Sequence, residues 1–174
     1  MIDTITTPGR KTAIQQQIDA LADADVLTRD YARHGLVRMG APAVGPLVEA
    51  LGSSDEHVRW EAAKALGEIA DPAAAPALIA ALDDQRFAVR WLAAEGLIAL
   101  KREGVAALLR ALMTASWDNV WLREGAHHVL RSQLGAAFGC HLAPVVAALE
   151  GLEPSVTVPA SAYHALEALD RGEG

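Results

Sequence analysis

One stretch of the sequence occurs twice in similar form, with the second copy starting 31 residues after the first, at position 89 instead of 58. The segment Val58–Leu66 reads Val-Arg-Trp-Glu-Ala-Ala-Lys-Ala-Leu, and Val89–Leu97 reads Val-Arg-Trp-Leu-Ala-Ala-Glu-Gly-Leu. Between them lies another apolar segment, opened by Asp71-Pro72. A fixed period of about 20–50 residues is the mark of a repeat array. We therefore predict an all-α chain in which helix pairs stack into a right-handed superhelix.

Small apolar residues dominate the composition and favour helix over strand. The 174-residue chain is 52% hydrophobic but only 5% aromatic. Its formal net charge of -7 argues against a surface built to bind the phosphates of nucleic acid. The single cysteine, Cys140, allows no internal disulfide. The sequence contains no run of about 18 apolar residues, so no membrane span is predicted. We therefore expect a cytoplasmic protein with neither a membrane span nor nucleic acid as a partner.

The periodicity places one repeat domain at residues 11–174, preceded by a flexible arm at residues 1–10. Asp25 is the predicted N-cap of the first long helix, which should end at Gly40. The repeats are placed at approximately 25–54, 55–85, 86–117 and 118–153, followed by a terminal helix at 154–169. The fourth repeat aligns with the others only after a one-residue shift. The terminal helix has no repeat after it, so we expect it to cap the array or to contact another chain.

The second repeat resembles the HEAT repeats of the phycobilisome-lyase type. The resemblance rests on the run Asp55–Ile69, which has the pattern Asp-x-x-Val-Arg-x-x-Ala-Ala-x-Ala-Leu-Gly-x-Ile, and on the Asp71-Pro72 that follows it. It covers roughly residues 25–169 and is strongest in the second and third repeats. It implies a solenoid of about four helical hairpins with capping helices. For function it implies three classes: chromophore lyases, a metal-dependent hydroxylase, and scaffolds.

The hydroxylase class makes a sharp prediction that the sequence does not meet. Deoxyhypusine hydroxylase resembles this chain in its repeats and takes its iron ligands from His-Glu dipeptides that follow the Val-Arg position. Here those positions hold Trp60-Glu61 and Trp91-Leu92, and no His-Glu dipeptide occurs in the sequence. A metal-dependent oxidoreductase of that type is therefore disfavoured. The lyases have no short motif to match, so a bilin lyase or chromophore-handling subunit stays an open alternative.

The same resemblance implies that the residues after Val-Arg, and those one and two turns further on, line a concave groove. On this chain the implied groove residues are Asp30, Tyr31, His34, Arg38, Trp60, Glu61, Lys64, Glu68, Trp91, Leu92, Glu95, Arg123, Glu124, His127, Arg131 and His164. Helical spacing agrees, because these positions alternate with the Ala-Ala and Leu positions of the core. Trp60 and Trp91 occupy equivalent places in adjacent repeats. They are either anchors for a partner protein or seals over the core.

Other reactive residue types have structural interpretations. His127 and His128 each stand at helical spacing from Glu124, but no third metal ligand is near in the sequence. Cys140 lacks an accompanying acid or base and is interpreted as a passive thiol. Arg59 and Arg90, with Asp55 and with Asp84 or Gln85, are expected to form a hydrogen-bond ladder between repeats. We therefore predict no catalytic residue, cofactor or metal.

The main hypothesis from the sequence is a non-catalytic scaffold or adaptor that binds a protein partner through the groove. Its core positions repeat, whereas the groove positions differ in type between repeats, as expected where one particular partner is recognised. The alternatives are a bilin lyase or accessory subunit and, less favoured, the metal-dependent oxidoreductase.

Overall fold

The structure, a computed structural model, describes residues 8–116 and 119–172, and the regular structure within these ranges is entirely helical. The α-helices are α1 (Pro8–Ala20), α2 (Val26–Met39), α3 (Ala41–Ala50), α4 (Glu56–Ile69), α5 (Ala75–Ala81), α6 (Phe87–Ala99), α7 (Lys101–Leu112), α8 (Val120–Ser132), α9 (Ala143–Glu150) and α10 (Pro154–Asp170). Single 3-10 turns at Pro72–Ala74 and Gly139–His141 precede α5 and α9. The predicted all-α repeat fold is confirmed.

The helices stack in two layers. In the first layer, the long helices α2, α4, α6 and α8 each contact the next one along the chain. In the second layer, α3 contacts the turn before α5, and α5 contacts α7. Helix α1 contacts both α2 and α3, so it covers the first end of the array. It begins at Pro8, three residues before the predicted start at Lys11; the rest of the predicted arm, residues 1–7, lies outside the described residues.

N-caps fix the start of the long helices. The carboxylates of Asp25 and Asp55 accept hydrogen bonds from Thr28 N (2.9 Å) and His57 N (2.8 Å), which confirms Asp25 as a cap. The side chain of Asn119 accepts from Leu122 N at 3.0 Å. Each cap satisfies a backbone donor that the first helical turn leaves unpaired. Residues at the same distance after the cap therefore occupy equivalent positions in each repeat.

Leucines eleven residues after each cap form the centre of the core. They are Leu36, Leu66, Leu97 and Leu130, all fully buried. Burying one leucine stabilises the fold by about 1.5–3 kcal/mol. The long helices also approach closely where small residues meet: a Cβ added at Gly67 would lie 3.2 Å from Gly96 Cα. Small residues at this crossing therefore set the distance between α4 and α6.

An arginine ladder links the loops that precede the long helices. Arg29, Arg59 and Arg90 stand four residues after their caps, and each donates from Nη1 to the two carbonyls found five and six residues earlier. Arg59 also donates to the carboxylate of Asp84 in the next repeat. The predicted link between repeats is present at Arg59, with Asp84 as its partner, whereas Arg90 bonds to the loop before its own helix and Asp55 serves as a helix cap.

The end of the array departs from the regular pattern. Ten residues, 133–142, separate α8 from α9, whereas a single residue separates α2 from α3 and α6 from α7. Helix α10 then contacts both α7 and α9. Arg102 of α7 donates to the carbonyl of Leu169, and Arg110 Nη2 lies 3.7 Å from Asp170 Oδ1. The terminal helix α10 therefore packs against α7 of the third repeat as well as against α9 of the fourth.

No helix in the described part of the chain combines the length and the apolar character needed to cross a bilayer.

Candidate functional site

Large apolar side chains are exposed near the beginnings of the long helices. They are Val26, Leu27 and Tyr31 on α2, Phe87 and Trp91 on α6, and Val120 and Trp121 on α8. We call the surface formed by the outward residues of α2, α4, α6 and α8 the long-helix face. A row of exposed aromatic and aliphatic side chains is uncommon on a surface that meets only water. This face is therefore the candidate functional surface.

A small cleft lies on the long-helix face between α6 and α8. We call it the aromatic recess; its volume is about 190 Å³, and it is lined by Phe87, Arg90, Trp91, Ala94, Trp121, Glu124, Gly125 and His128. Phe87 and Trp91 are four residues apart and share one side of α6, while Trp121 and His128 come from α8. The floor includes the small residues Ala94 and Gly125, which leave room between the rings.

The rings of the recess contact one another and remain partly exposed. The Trp91 and His128 ring centroids are 4.6 Å apart, and those of Phe87 and Trp91 are 6.2 Å apart. Trp91 keeps 46% and Trp121 keeps 40% of its surface accessible. Contact between aromatic rings restricts their motion, so the exposed faces are held in place before any partner arrives.

Arg90 is fixed within the recess by its part in the arginine ladder. Its Nη1 donates to Asp84 O at 2.8 Å, and its Cζ lies 4.5 Å from the Trp121 ring centroid and 5.7 Å from that of Phe87. A guanidinium group over an aromatic face is attracted by the ring quadrupole. The same arginine therefore joins the repeat scaffold to the recess and orients Trp121.

Two kinds of polar group in the recess lack partners within the described ranges. The Glu124 carboxylate is exposed and has no ion-pair partner there, whereas Glu95 accepts a hydrogen-bond contact from His128 Nε2 at 3.0 Å. The indole N–H groups of Trp91 and Trp121 have no acceptor among the same residues. The recess thus offers an unpaired carboxylate and two hydrogen-bond donors beside apolar ring faces.

A second polar group of residues lies between α2 and α4, with Arg33 and Glu61 buried at its centre. Arg33 Nε is 3.1 Å from Glu61 Oε2, and the guanidinium of Arg33 also pairs with Asp30 and Glu68. Arg29 Nε lies 3.8 Å from Glu61 Oε1. Burial raises the pKa of Glu61, although the positive charges of Arg33 and Arg29 oppose this effect. This cluster connects the first two repeats; Arg33 and Glu61 are shielded from solvent, whereas the Asp30 and Glu68 carboxylates reach it.

The predicted groove residues differ in accessibility. Those exposed are Tyr31, His34, Arg38, Glu68, Trp91, Glu95, Glu124, Arg131 and His164; those half-buried are Asp30, Trp60, Lys64, Leu92, Arg123 and His127. Glu61 differs from both sets: it is only 5% exposed, although it lines the cleft between α2, α4 and α6. Its position follows the cap by six residues, where the neighbouring repeats carry Tyr31 and Leu92, and the buried Arg33 on α2 draws its carboxylate inward.

The two predicted tryptophans have different surroundings. Trp60 is half-buried, and Lys64 Nζ lies 4.8 Å from its ring centroid. It lines a separate cleft of about 310 Å³ between α2, α4 and α6, together with Val26 and Arg29. Trp91 instead contacts Phe87 and His128. Trp91 is therefore the more accessible of the two rings.

The structure corrects the register of the fourth repeat. Counting from the Asn119 cap, Arg123 takes the ladder position of Arg59, and Glu124 takes the position of Trp60. His128, instead of His127, reaches the long-helix face and contacts Trp91. His127 Nε2 instead lies 2.7 Å from Glu150 Oε1 of α9, and Arg131 lies 3.7 Å from the same oxygen.

His164 lies outside the long-helix face. It is on α10, which contacts α7 and α9, and it lines a cleft with Cys140 and His141. The exposed Cys140 is a free thiol. Among the residues that the structure describes, no group of three or more histidine, cysteine, aspartate or glutamate side chains is arranged to hold a metal ion.

Sequence reasoning missed three residues of importance in these groups. Phe87 and Trp121 lie in the first turn of their helices, before or outside the Val-Arg-Trp pattern used to find the groove. Their signal was available, because a large apolar residue in the first turn after a cap is out of register with the buried leucines. Arg33 was missed because the equivalent positions hold Ala63 and Ala94, and a charge there marks a buried cluster.

Comparison with known proteins places the fold. Residues 14–98 match the family described as HEAT repeats. No curated protein matches the chain. Among solved structures, the complex of CpcE and CpcF of phycocyanin lyase from Nostoc sp. PCC7120 is similar, with a TM-score of 0.59, 22% identity, and coverage of 89% of this chain and 98% of that chain. An engineered protein aligns with a TM-score of 0.46 at 21% identity, over 94% of this chain and 82% of that one.

The family match and the stacked helix pairs agree with each other. The match spans α2 to α6, where the caps, the arginine ladder and the buried leucines recur at one period. The likeness to the solved complex extends the same architecture through the later helices. Residues 14–98 therefore carry HEAT repeats, and the later helices continue the same stacked architecture.

Proposed function

We propose that this chain is a non-catalytic interaction module that binds a protein segment on the long-helix face. The observation that supports the proposal is the aromatic recess, where Phe87, Trp91 and Trp121 remain exposed although they contact one another, His128 or Arg90. Tryptophan and arginine in preorganised recesses are the residues that contribute most to protein interfaces. Charged groups of both signs line the recess, with Arg90 on one helix and Glu124 on the other, and supply specificity.

The long-helix face offers more than one contact region to a partner. Trp60 and Val26 line the cleft between α2, α4 and α6, and Arg86 and Val89 line the same cleft from the α6 side. Phe87 and Arg90 line the aromatic recess on the other side of α6. The two clefts are thus adjacent along the stack, so an extended segment crossing α6 would contact both.

The experiment that tests this proposal is affinity capture from lysate of the source organism with three versions of the chain. Wild type, the double variant Trp91→Ala/Trp121→Ala and the control Tyr163→Ala are compared at equal helicity by circular dichroism. Tyr163 is also a half-exposed ring, but it lies on α10. A protein retained by wild type and the control, and lost by the double variant, supports the proposal. Equal retention by all three versions contradicts it.

A chromophore-handling role is the second candidate, and it rests on the similarity in fold to a subunit of phycocyanin lyase. The aromatic recess is smaller than most small-molecule sites, although the cleft between α2, α4 and α6 holds about 310 Å³. The aromatic recess holds about 190 Å³, whereas small-molecule sites usually hold about 300–1,000 Å³. A change in visible absorbance when free bilin is added to the wild-type chain, absent from Trp91→Ala/Trp121→Ala, would move this candidate to first place.

A further inference from the structure

We infer that the aromatic recess recognises a proline-rich segment in the polyproline conformation, with a lysine or arginine of that segment paired to Glu124. The inference rests on the function proposed above and specifies the chemical class of the partner segment.

The secondary structure of the chain narrows the ways in which a peptide can bind. Recognition by strand addition requires a sheet edge, and the described ranges contain helices without strands. Recognition of an amphipathic helix requires a long apolar groove for anchors at i, i+3, i+4 and i+7. The aromatic recess is short, and Arg90 and Glu124 interrupt its apolar lining. Polyproline recognition needs only aromatic faces and hydrogen-bond donors in a shallow groove.

Those requirements match the groups found in the recess. A polyproline helix makes no internal hydrogen bonds, so its carbonyl oxygens are free to accept. The indole N–H groups of Trp91 and Trp121 lack acceptors within the described part of the chain, and both rings are accessible. Proline rings can therefore lie against Phe87 and the indoles while the indole N–H groups donate to neighbouring carbonyls. Because polyproline is already extended, ordering it on binding costs little entropy.

The charges of the recess assign a position to the basic residue. Arg90 lies over Trp121 at 4.5 Å, so a second cation inserted between the rings would meet its repulsion. The inserted group is therefore uncharged. Glu124, in contrast, has an exposed carboxylate without an ion-pair partner among the described residues, and Glu95 is already in contact with His128. A lysine or arginine beside the prolines would pair with Glu124. The net charge of -7 also favours encounter with a basic segment.

The test is a titration of the full-length chain with synthetic ten-residue peptides, followed by calorimetry. The first peptide is proline-rich with arginine at one end, the second has glutamate in place of arginine, and the third is an amphipathic helical sequence of equal charge. We expect saturable binding of the first peptide and weaker binding of the other two. Trp91→Ala should lower the affinity for the first peptide by about tenfold or more, as expected for an anchor residue. Tyr163→Ala should leave its affinity unchanged.

A charge exchange at Glu124 provides a readout independent of folding. The variant Glu124→Arg should lose affinity for the arginine peptide and gain affinity for the glutamate peptide, because the exposed carboxylate makes no intramolecular ion pair with described residues. Trp91→Phe keeps a ring but removes the N–H donor, so it should weaken binding less than Trp91→Ala.

Two results would overturn the inference: no saturable binding of the proline-rich peptide to folded wild type, or tighter binding of the helical peptide. If the capture experiment still identifies a protein that is lost with Trp91→Ala/Trp121→Ala, the proposed function stands and only the polyproline assignment fails. If both experiments fail, the aromatic recess does not bind a partner and the proposed function is contradicted with the inference.

Discussion

Arg59 of the second repeat forms a two-point ion pair with Asp84 of the next loop, with Nε–Oδ2 and Nη2–Oδ1 distances of 2.6 Å and 3.2 Å. Both side chains are largely shielded from solvent. The same guanidinium also donates to Ser53 O and Ser54 O within its own repeat. The Arg59 side chain therefore connects two successive loops and helps to fix the distance between the two repeats.

We predict that Asp84→Ala lowers the free energy of unfolding by about 1.5–3 kcal/mol, the range for hydrogen bonds to charged groups. The loss follows because Arg59 would keep its bonds to the loop carbonyls but lose its contact with the next repeat. Urea denaturation followed by circular dichroism measures the change. Asp83→Ala is the matched control, since Asp83 is exposed beside the same loop, and surface changes of this kind usually stay within about 0.5 kcal/mol.

The same pair makes stability depend on pH. Burial alone would raise the pKa of Asp84, but hydrogen bonds from Arg59 and from the Arg86 N–H outweigh it, and the net pKa is lowered. A lowered folded-state pKa gives stability that is present above the unfolded value, near 3.9, and is lost as the pH falls through the folded value. The stability difference between wild type and Asp84→Asn should therefore shrink as the pH falls below about 4. A constant difference would contradict the account.

The pKa shift of Glu61 is opposite in direction to that of Asp84. Burial raises its pKa even with Arg33 and Arg29 nearby. A raised carboxyl pKa means that the folded state binds more protons, so wild type loses stability as the pH rises from the unfolded value through the folded one. Glu61→Gln removes this dependence. The stability of the variant relative to wild type should therefore improve as the pH rises from about 4 towards 7.

Replacing Arg33 should lower the free energy of unfolding more than neutralising Glu61 does. Arg33→Met removes one partner of a buried ion pair, which costs about 3–5 kcal/mol, and leaves Glu61 with the more distant Arg29. If Glu61→Gln proves as damaging as Arg33→Met at pH 7, the raised pKa assigned to Glu61 is wrong.

The repeat architecture could be predicted from the sequence because its determinants are local and recur. The caps Asp25 and Asp55 and the leucines Leu66 and Leu97 recur at one period, and helical spacing alone puts those leucines on one face. The start of every long helix in the described ranges therefore lies within two residues of the expected place.

What could not be predicted depends on contacts between distant segments. The interior position of Glu61 requires knowledge of Arg33, one repeat away and at a position usually filled by alanine. The place of α10 depends on the long connection after Ser132, and the apolar pattern of α10 does not reveal which short helix it contacts. The recess likewise joins Phe87 and Trp121, which share no sequence motif. The sequence thus predicted which positions belong to the groove but not which side chains contact one another there.

The close approach of α4 and α6 gives a prediction about two glycines. A Cβ at Gly67 would meet Gly96 Cα at 3.2 Å, and backbone cannot move aside as a flexible side chain can. Overpacking of this kind costs about 1–3 kcal/mol, so Gly67→Ala should lower the midpoint of thermal unfolding. Gly135→Ala is the control, because nothing lies within 4 Å of its Cβ position. It should be neutral or stabilising by up to about 1 kcal/mol. Equal effects of the two substitutions would refute the packing argument.

Partner binding on the long-helix face can be tested directly by photo-crosslinking. One version of the chain carries a photo-crosslinking amino acid at Phe87, in the aromatic recess, and a second version carries it at Val156, on α10. Both positions are about two-thirds exposed, at 68% and 67%, so the two probes are equally accessible. After irradiation in lysate of the source organism, we expect a discrete crosslinked protein from position 87 and none from position 156. Adding Trp121→Ala to the first version should abolish the adduct. An adduct from position 156 with none from position 87 would contradict the assignment of partner binding to the long-helix face.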